Sequence, residues 1–276
     1  MINNRWPAGH TLCQECNMLR AIIFGILFMV NTTLGQTADQ LAALSEARTF
    51  ERNGLTMPYR LFKPPNYNPK KAYPLYLALH GAGARATDNF RTLKQDVWSI
   101  HTLASKSVRE KHPCFILVPQ VPPKGRWVEL NWNHGSYKLP DVAPSPFMEL
   151  LIPLIDKTKQ DFNIDDTRIY VGGYSMGGYG TWDVIARNPK VFAAAIPVCG
   201  SGPTDSAASI SHLPIWIFHG EKDRVVPAKG SRKMYEALKA SGAPVKYTEF
   251  KNIGHNAWEP TWKTEGLVDW LFSQSK

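Results

Sequence analysis

Residues 173–177 read Gly-Tyr-Ser-Met-Gly, which places Ser175 between two glycines at the spacing Gly-x-Ser-x-Gly. A serine hydroxyl is a weak nucleophile until a base takes its proton and a carboxylate holds that base in the correct tautomer. The spacing alone arises by chance in about one chain in ten of this length at ordinary Gly and Ser usage, so its surroundings must decide its meaning. A strand-like run, residues 168–171, precedes it, and Thr181-Trp182-Asp183-Val184-Ile185 follows with helical character. That context predicts a sharp strand-to-helix turn that holds Ser175 in strained backbone geometry, with only tiny side chains tolerated at Gly173 and Gly177.

If Ser175 is a nucleophile, an acid and then a histidine should follow it, the acid after a later strand and the histidine before the last helix. Asp223 meets the first demand, in the turn-rich stretch His219-Gly220-Glu221-Lys222-Asp223 behind the apolar run 215–218. Glu221 stands as the alternative acid. His255 meets the second demand, in Ile253-Gly254-His255-Asn256 between the last strand-like run and the closing helix. His212 lies before its strand, at the wrong end of a parallel sheet, and His219 reads as a strand-end residue. The oxyanion that forms on attack needs two preorganised N–H donors. Met176, at the start of the following helix, supplies one. The loop His80-Gly81-Ala82-Gly83 supplies the other, through Ala82, with Gly83 as the alternative.

The elements that must position these residues are legible in the hydrophobic pattern. Residues 49–63 alternate around Asn53-Gly54, the dipeptide of a tight hairpin, after a helical lead over 37–47. Short apolar runs then recur at 75–79, 115–118, 169–171, 193–198, 215–218 and 245–250, separated by helical stretches. Alternation of strands with helices predicts an α/β protein, a three-layer α/β/α sandwich on a mainly parallel sheet. Ser145-Pro146 predicts a helix start, Pro153 a kink within that helix, and Gly242 a left-handed end for the helix carrying Met234 and Leu238. No internal linker interrupts residues 36–276, which are expected to form one domain without an inserted cap. Cys114 and Cys199 fall at the start of one strand and the end of another, which predicts two separate thiols.

Leu79-His80-Gly81-Ala82-Gly83, the Gly173 to Gly177 motif, His219-Gly220 with Asp223, and Gly254-His255 together resemble the α/β-hydrolase superfamily. Within it, Tyr137-Lys138-Leu139-Pro140, Gly177-Gly178-Tyr179-Gly180-Thr181-Trp182 and His255-Asn256-Ala257-Trp258 are similar to exported bacterial carboxylesterases. These include phospholipase/carboxylesterase-like, dienelactone-hydrolase-like and prolyl-oligopeptidase-like proteins, relatives of feruloyl esterases and polyhydroxybutyrate depolymerases. The resemblance implies ester hydrolysis through an acyl-enzyme, with no metal or organic cofactor. Ala84, Arg85 and Ala86 depart from the glutamate and glycine often found at this point in the group. A serine peptidase is the alternative within the same chemistry, and a noncatalytic carbohydrate-binding protein is the alternative outside it.

The connection over residues 119–144 is long for a compact domain and leaves the strand edge that presents Ser175. It carries Trp127, Trp132 and Tyr137, and Trp258 lies three residues beyond His255. These rings are expected either to stack on a phenolic or sugar ring of a small-molecule or polysaccharide-linked ester, or to pack the loop onto the sheet. The formal charge of +9 is scattered among acids and turns rather than gathered with aromatics into a groove, which argues against nucleic acid.

Residues 21–30 form an apolar run behind Arg20, followed by Thr33-Leu34-Gly35 before Gln36. The pattern is that of a secretory signal over residues 1–35, and the run is too short for the ~20 apolar residues of a spanning helix. An uncleaved anchor is the alternative. Met18 is the more typical start for such a segment, in which case Cys13 and Cys16 are not translated. The expected outcome is a periplasmic or extracellular protein whose native N-terminus lies at or near Gln36; mass spectrometry of the native protein checks this, and an intact N-terminus in the cytoplasmic fraction overturns it.

Overall fold

The computed structural model of the chain describes Met1 and residues 36–94, 98–133 and 135–276. The expected signal segment, Met18 and the Cys13/Cys16 pair lie outside the described residues. Among the described residues, eight strands form one sheet in the order β1-β2-β4-β3-β5-β6-β7-β8. The antiparallel opening hairpin joins β1 (Ser45–Arg52) to β2 (Leu55–Phe62), with Asn53 and Gly54 both at positive φ in the turn. β2 pairs antiparallel with β4 (Phe115–Pro119). From there β3 (Tyr73–Leu79), β5 (Ile164–Tyr174), β6 (Ala194–Val198), β7 (Ile215–Gly220) and β8 (Val245–Phe250) pair in parallel.

Period-two alternation divides the sheet between two apolar layers. Leu75, Leu77 and Leu79 face the same layer as Val171, Ile215 and Ile217, and they are covered by α5 (Leu151–Asp161), α6 (Met176–Arg187) and α7 (Lys229–Ala240) through Leu154, Trp182 and Met234. Tyr76 and Ala78 face the other layer with Tyr170, Ile196 and Phe218. There the cover comes from α1 (Ala38–Ala43), α2 (Arg91–Lys94), α3 (Trp98–Leu103), α8 (Trp258–Trp262) and α9 (Leu267–Phe272), through Leu41, Leu93, Ile100, Trp262 and Leu271. The remaining helix of the described residues, α4 (Lys106–Lys111), buries none of its side chains. All seven residues of β3 are buried, as expected of a strand covered on both faces.

Two local expectations change. The helical lead stops at Ala43, because Ser45 already pairs with Phe62 in the hairpin and its Oγ donates back to the Leu41 carbonyl at 2.8 Å. Strand pairing thus overrides helix continuation. Ser145 does cap, its Oγ accepting the Met148 N–H at 3.0 Å, but a turn over 146–150 intervenes before regular helix begins at Leu151. Pro153 therefore occupies the first turn, where its missing N–H would have no intrahelical acceptor, and it interrupts no helical ladder. Gly242 ends α7 at φ +75° with Ala243 N–H on the Leu238 carbonyl, as its sequence position predicts.

The connection between β4 and α5 is tied down along its length. Trp127 is fully buried and donates its indole N–H to the His80 carbonyl at 3.0 Å. Tyr137, also buried, donates its hydroxyl to Asp183 Oδ1 at 2.9 Å. Asp183 is an inward-facing acid of α6 that also accepts from Arg187 one turn later, and Arg187 in turn donates to the Val142 carbonyl. Removing this buried carboxylate leaves the Tyr137 hydroxyl without its acceptor and the Arg187 guanidinium without its counter-charge. Asp183→Ala should lower the unfolding free energy by about 3–5 kcal/mol and Tyr137→Phe by about 1 kcal/mol, read from urea denaturation.

Candidate active site

The strand-to-helix turn at Ser175 is enforced by backbone contact. Ser175 has φ +55° and ψ −117°, a conformation non-glycine residues rarely adopt, between the end of β5 and the first residue of α6. A Cβ on Gly177 would lie 1.9 Å from the Leu79 carbonyl oxygen, and one on Gly173 would lie 2.5 Å from the carbonyl oxygens of Gly177 and Leu79. Only glycine lets α6 press this closely on β3. The Ser175 N–H donates to the Val198 carbonyl and its own carbonyl accepts from Tyr179, so neighbouring elements hold the serine on both sides.

His255 comes from the loop between β8 and α8, and Asp223 from the turn after β7. The structure brings both to Ser175. The hydroxyl of Ser175 donates to His255 Nε2 at 2.9 Å, and His255 Nδ1 donates to Asp223 Oδ2 at 2.7 Å. The other carboxylate oxygen of Asp223 accepts the N–H groups of Val225 and Val226, each at 2.9 Å. Burial alone raises the Asp223 carboxyl. Hydrogen bonds from His219, His255 and the Val226 N–H more than offset this and hold it well below the usual carboxylate range. The loops carrying the pair are joined, with Lys222 N–H on the Ile253 carbonyl and Glu221 N–H on the Phe250 carbonyl. The rivals lie elsewhere. Glu221 is exposed and accepts the Asn252 N–H, and His212 bonds the Pro189 carbonyl near the opposite strand ends.

Ala82 opens a 3-10 turn, Ala82–Ala84, and Met176 opens α6, so neither N–H has an acceptor within its own helix. Sequence reading passed over the residue that aims the first of them. His80 is fully buried, its Nδ1 donating to the Gly81 carbonyl at 2.7 Å while its Nε2 accepts the Val121 N–H at 3.1 Å. The Gly81 carbonyl and the Ala82 N–H belong to one trans peptide and point in opposite directions, so holding the first on His80 turns the second outward. Arg85, which stands in the stretch that departs from the resemblance, donates to the Ala82 carbonyl at 2.9 Å and steadies the next peptide.

A cleft of about 260 Å³ opens over Ser175 and His255, with Ala82 and Gly83 on one side. Trp132, Trp258, Tyr174 and Val225 form its remaining walls. Trp258 meets the His255 ring edge-on at 5.4 Å and the Tyr174 ring at 4.8 Å, and Val225 is half exposed at the mouth. Of the four aromatic residues that sequence assigns to a substrate, Trp132 and Trp258 reach the cleft. Trp127 and Tyr137 do not: both are buried under the connection, with their polar atoms spent on His80 and Asp183. Tyr174 and Val225 were missed, because preceding the serine within its motif or following the acid gives no sequence signal of a wall.

Among the described residues, Cys199, Asp223 and His255 offer ligand atoms within 4.8 Å of one another. Asp223 and His255 are already bonded to each other, and burial pushes the Cys199 thiol far up, away from the thiolate a metal needs. Cys114 and Cys199 are separate buried thiols.

The dienelactone hydrolase family profile matches residues 149–263. A solved thermostable esterase is 38% identical with a TM-score of 0.77, over 86% of this chain and 64% of that one. The bifunctional acetylxylan esterase/xylanase of Neocallimastix patriciarum is 29% identical over 60% of this chain and 21% of its own length. Poly(3-hydroxyalkanoate) depolymerase C of Paucimonas lemoignei is 28% identical over 67% of this chain and 41% of its own. The chain thus spans less than two thirds of each of these proteins.

Burial pushes the His80 pKa down from 6.5 to about 4, and the bond to Gly81 opposes this only in part. The unfolded chain takes up that proton near its ordinary value and the folded protein only near 4. The stability conferred by neutral His80 is therefore complete above about pH 6.5 and is lost as pH falls towards 4. Unfolding free energy should drop by about 2–3 kcal/mol from pH 7 to pH 4.5 on this account. Urea titrations at the two pH values check it, and His80→Gln should flatten the dependence.

Proposed function

The chain belongs to the α/β-hydrolase superfamily, and from that premise we propose that it is a serine hydrolase that cleaves carboxylic esters through an acyl-enzyme. The observation that carries the reading is the unbroken hydrogen-bond chain from Ser175 Oγ, on a serine held at positive φ, through His255 to Asp223. Ser175 Oγ attacks the ester carbonyl carbon while its proton passes to His255 Nε2. Asp223 keeps the ring in the Nδ1–H tautomer and stabilises the imidazolium that forms. The N–H groups of Ala82 and Met176 receive the developing oxyanion, whose charge is largest in the transition state. As the tetrahedral intermediate collapses, the C–O bond to the alcohol breaks and His255 returns the proton to the departing oxygen. Water, deprotonated by the same nitrogen, then releases the acid. No step calls for a metal or an organic cofactor.

The favoured substrates are short-chain or aromatic acyl esters on a small-molecule or polysaccharide-linked alcohol. A long acyl chain gains ~0.8 kcal/mol for each methylene buried, but that requires an apolar tunnel, and the segment between β6 and β7 holds only turns and the short 3-10 turn Thr204–Ser206. Flat surfaces from Trp132 and Trp258 suit rings instead. The relatives named for acetylxylan and polyhydroxyalkanoate hydrolysis are in keeping with small acyl groups and polymer-borne esters. Residues 21–30 with the small residues before Gln36 support export, to the periplasm or outside the cell.

Ser175→Ala and His255→Ala should each lower kcat by roughly four to six orders of magnitude, and a fluorophosphonate should label the wild type but not Ser175→Ala. A chain-length series of nitrophenyl esters, run beside feruloyl and acetylated sugars in wild type and Trp132→Ala, tests the substrate class. Specificity that climbs steadily beyond about eight carbons, or ring-bearing substrates indifferent to Trp132→Ala, would overturn it.

A further inference from the structure

Asp223 is held by more than His255. His219, at the end of β7, is fully buried, and its Nε2 lies 3.2 Å from Asp223 Oδ2, the same oxygen that takes the His255 proton donor. That nitrogen also lies 2.8 Å from the Val226 carbonyl oxygen. Both neighbours are acceptors, so His219 Nε2 carries a proton and donates. On the far side of the ring, Nδ1 lies 2.8 Å from Ser231 Oγ, and that hydroxyl sits 3.0 Å from the Gly200 carbonyl. Ser231 is itself buried near the start of α7. Every polar atom of the His219 ring is thus committed to a neighbour fixed on a different element.

We propose that His219 is a positioning residue, which clamps the oxygen of Asp223 that orients His255. The inference rests on the reading of Ser175, His255 and Asp223 given above. The backbone amides of Val225 and Val226 fix Oδ1, but two bonds to one oxygen still leave the carboxylate free to swing Oδ2 about them. The His219 N–H removes that freedom by approaching Oδ2 from within the sheet while His255 approaches from the cleft. Its ring has no access to Ser175 or to solvent, so it acts only through the carboxylate. Sharing Oδ2 also disperses the negative charge available to His255. The other titratable groups nearby are Glu249, the ring's register neighbour on β8, and the Cys199 thiol, which lies beside the Asp223 carboxylate rather than the ring. Glu249 is engaged by Arg232 of α7 and by the Tyr247 hydroxyl, so it does not compete for the His219 proton.

The test compares His219→Phe, His219→Gln and Ser231→Ala on a nitrophenyl ester, with folding followed by circular dichroism. Gln places its amide N–H where His219 Nε2 stands and keeps the donor, whereas Phe keeps only the volume. Loss of one such hydrogen bond should lower kcat roughly tenfold in His219→Phe at unchanged KM. The pH at which kcat/KM reaches half its plateau should rise, since Asp223 then offers more charge to His255. His219→Gln should restore most of kcat and the wild-type pH profile. Ser231→Ala, which leaves the ring in place but unanchored, should show a smaller loss in the same direction and serves if the Phe variant does not fold. A wild-type kcat and pH profile in His219→Phe, or in Ser231→Ala where the Phe variant does not fold, overturns the proposal, as does a Gln variant no better than Phe. Failure of the underlying reading looks different, because wild type and His255→Ala would then turn over equally.

Discussion

The contact on which the rest of the site depends is the approach of the α6 backbone to the end of β3 at Gly177 and Leu79. A carbonyl oxygen occupies the place where any other residue would put its first side-chain carbon. That contact fixes the start of α6 against the sheet and holds Ser175, the residue before it, at positive φ with its hydroxyl turned to His255. The strain at Ser175 is small beside the apolar burial of β3 and α6, whose Tyr179, Trp182 and Ile185 are all inside. A strained serine persists here because its surroundings leave it no other place.

Two inward-facing acids show how the fold uses buried charge. Asp183 spends its oxygens on Arg187 and Tyr137, and its work is mechanical, binding a connection to a helix. Asp223 faces two histidines and two amides and keeps its charge next to the cleft. The first sits inside a helix turn where an i,i+4 arginine is available. The second sits at a strand end, where parallel strands converge and successive loops bring several donors to one point.

Strands, their pairing into a mostly parallel sheet, the turn at Ser175 and the convergence of Asp223 and His255 on it were all legible, because each follows from a local rule of periodicity, sterics or order along the chain. What was not legible depended on direction in space. Trp127, Trp132 and Tyr137 share one stretch and one chemistry, yet only Trp132 reaches the cleft, since its carbonyl is held by the Tyr179 hydroxyl while the other two rings turn inward to His80 and Asp183. His80 and His219 look alike in sequence, each a histidine that directly follows an apolar run and precedes a glycine. Their roles emerge only once the opposite peptide or carboxylate is in place. The helical lead failed for a different reason, because its propensity was real but the hairpin claimed Ser45.

The connection between β4 and α5 reaches α6 through Tyr137 to Asp183, Val142 to Arg187 and Trp132 to Tyr179, three attachments spaced along the helix that begins beside the serine. The cleft wall and the strained serine therefore belong to one cooperative unit rather than to a scaffold with a separately melting loop. On heating, the cleft must lose its shape over the same interval as the global fold, with no window in which the turn at Ser175 stays intact while its aromatic wall has frayed. Loops of this length commonly adapt to their guests. Here adaptation would have to break bonds to buried groups, so the shape of the cleft is set before any ligand arrives.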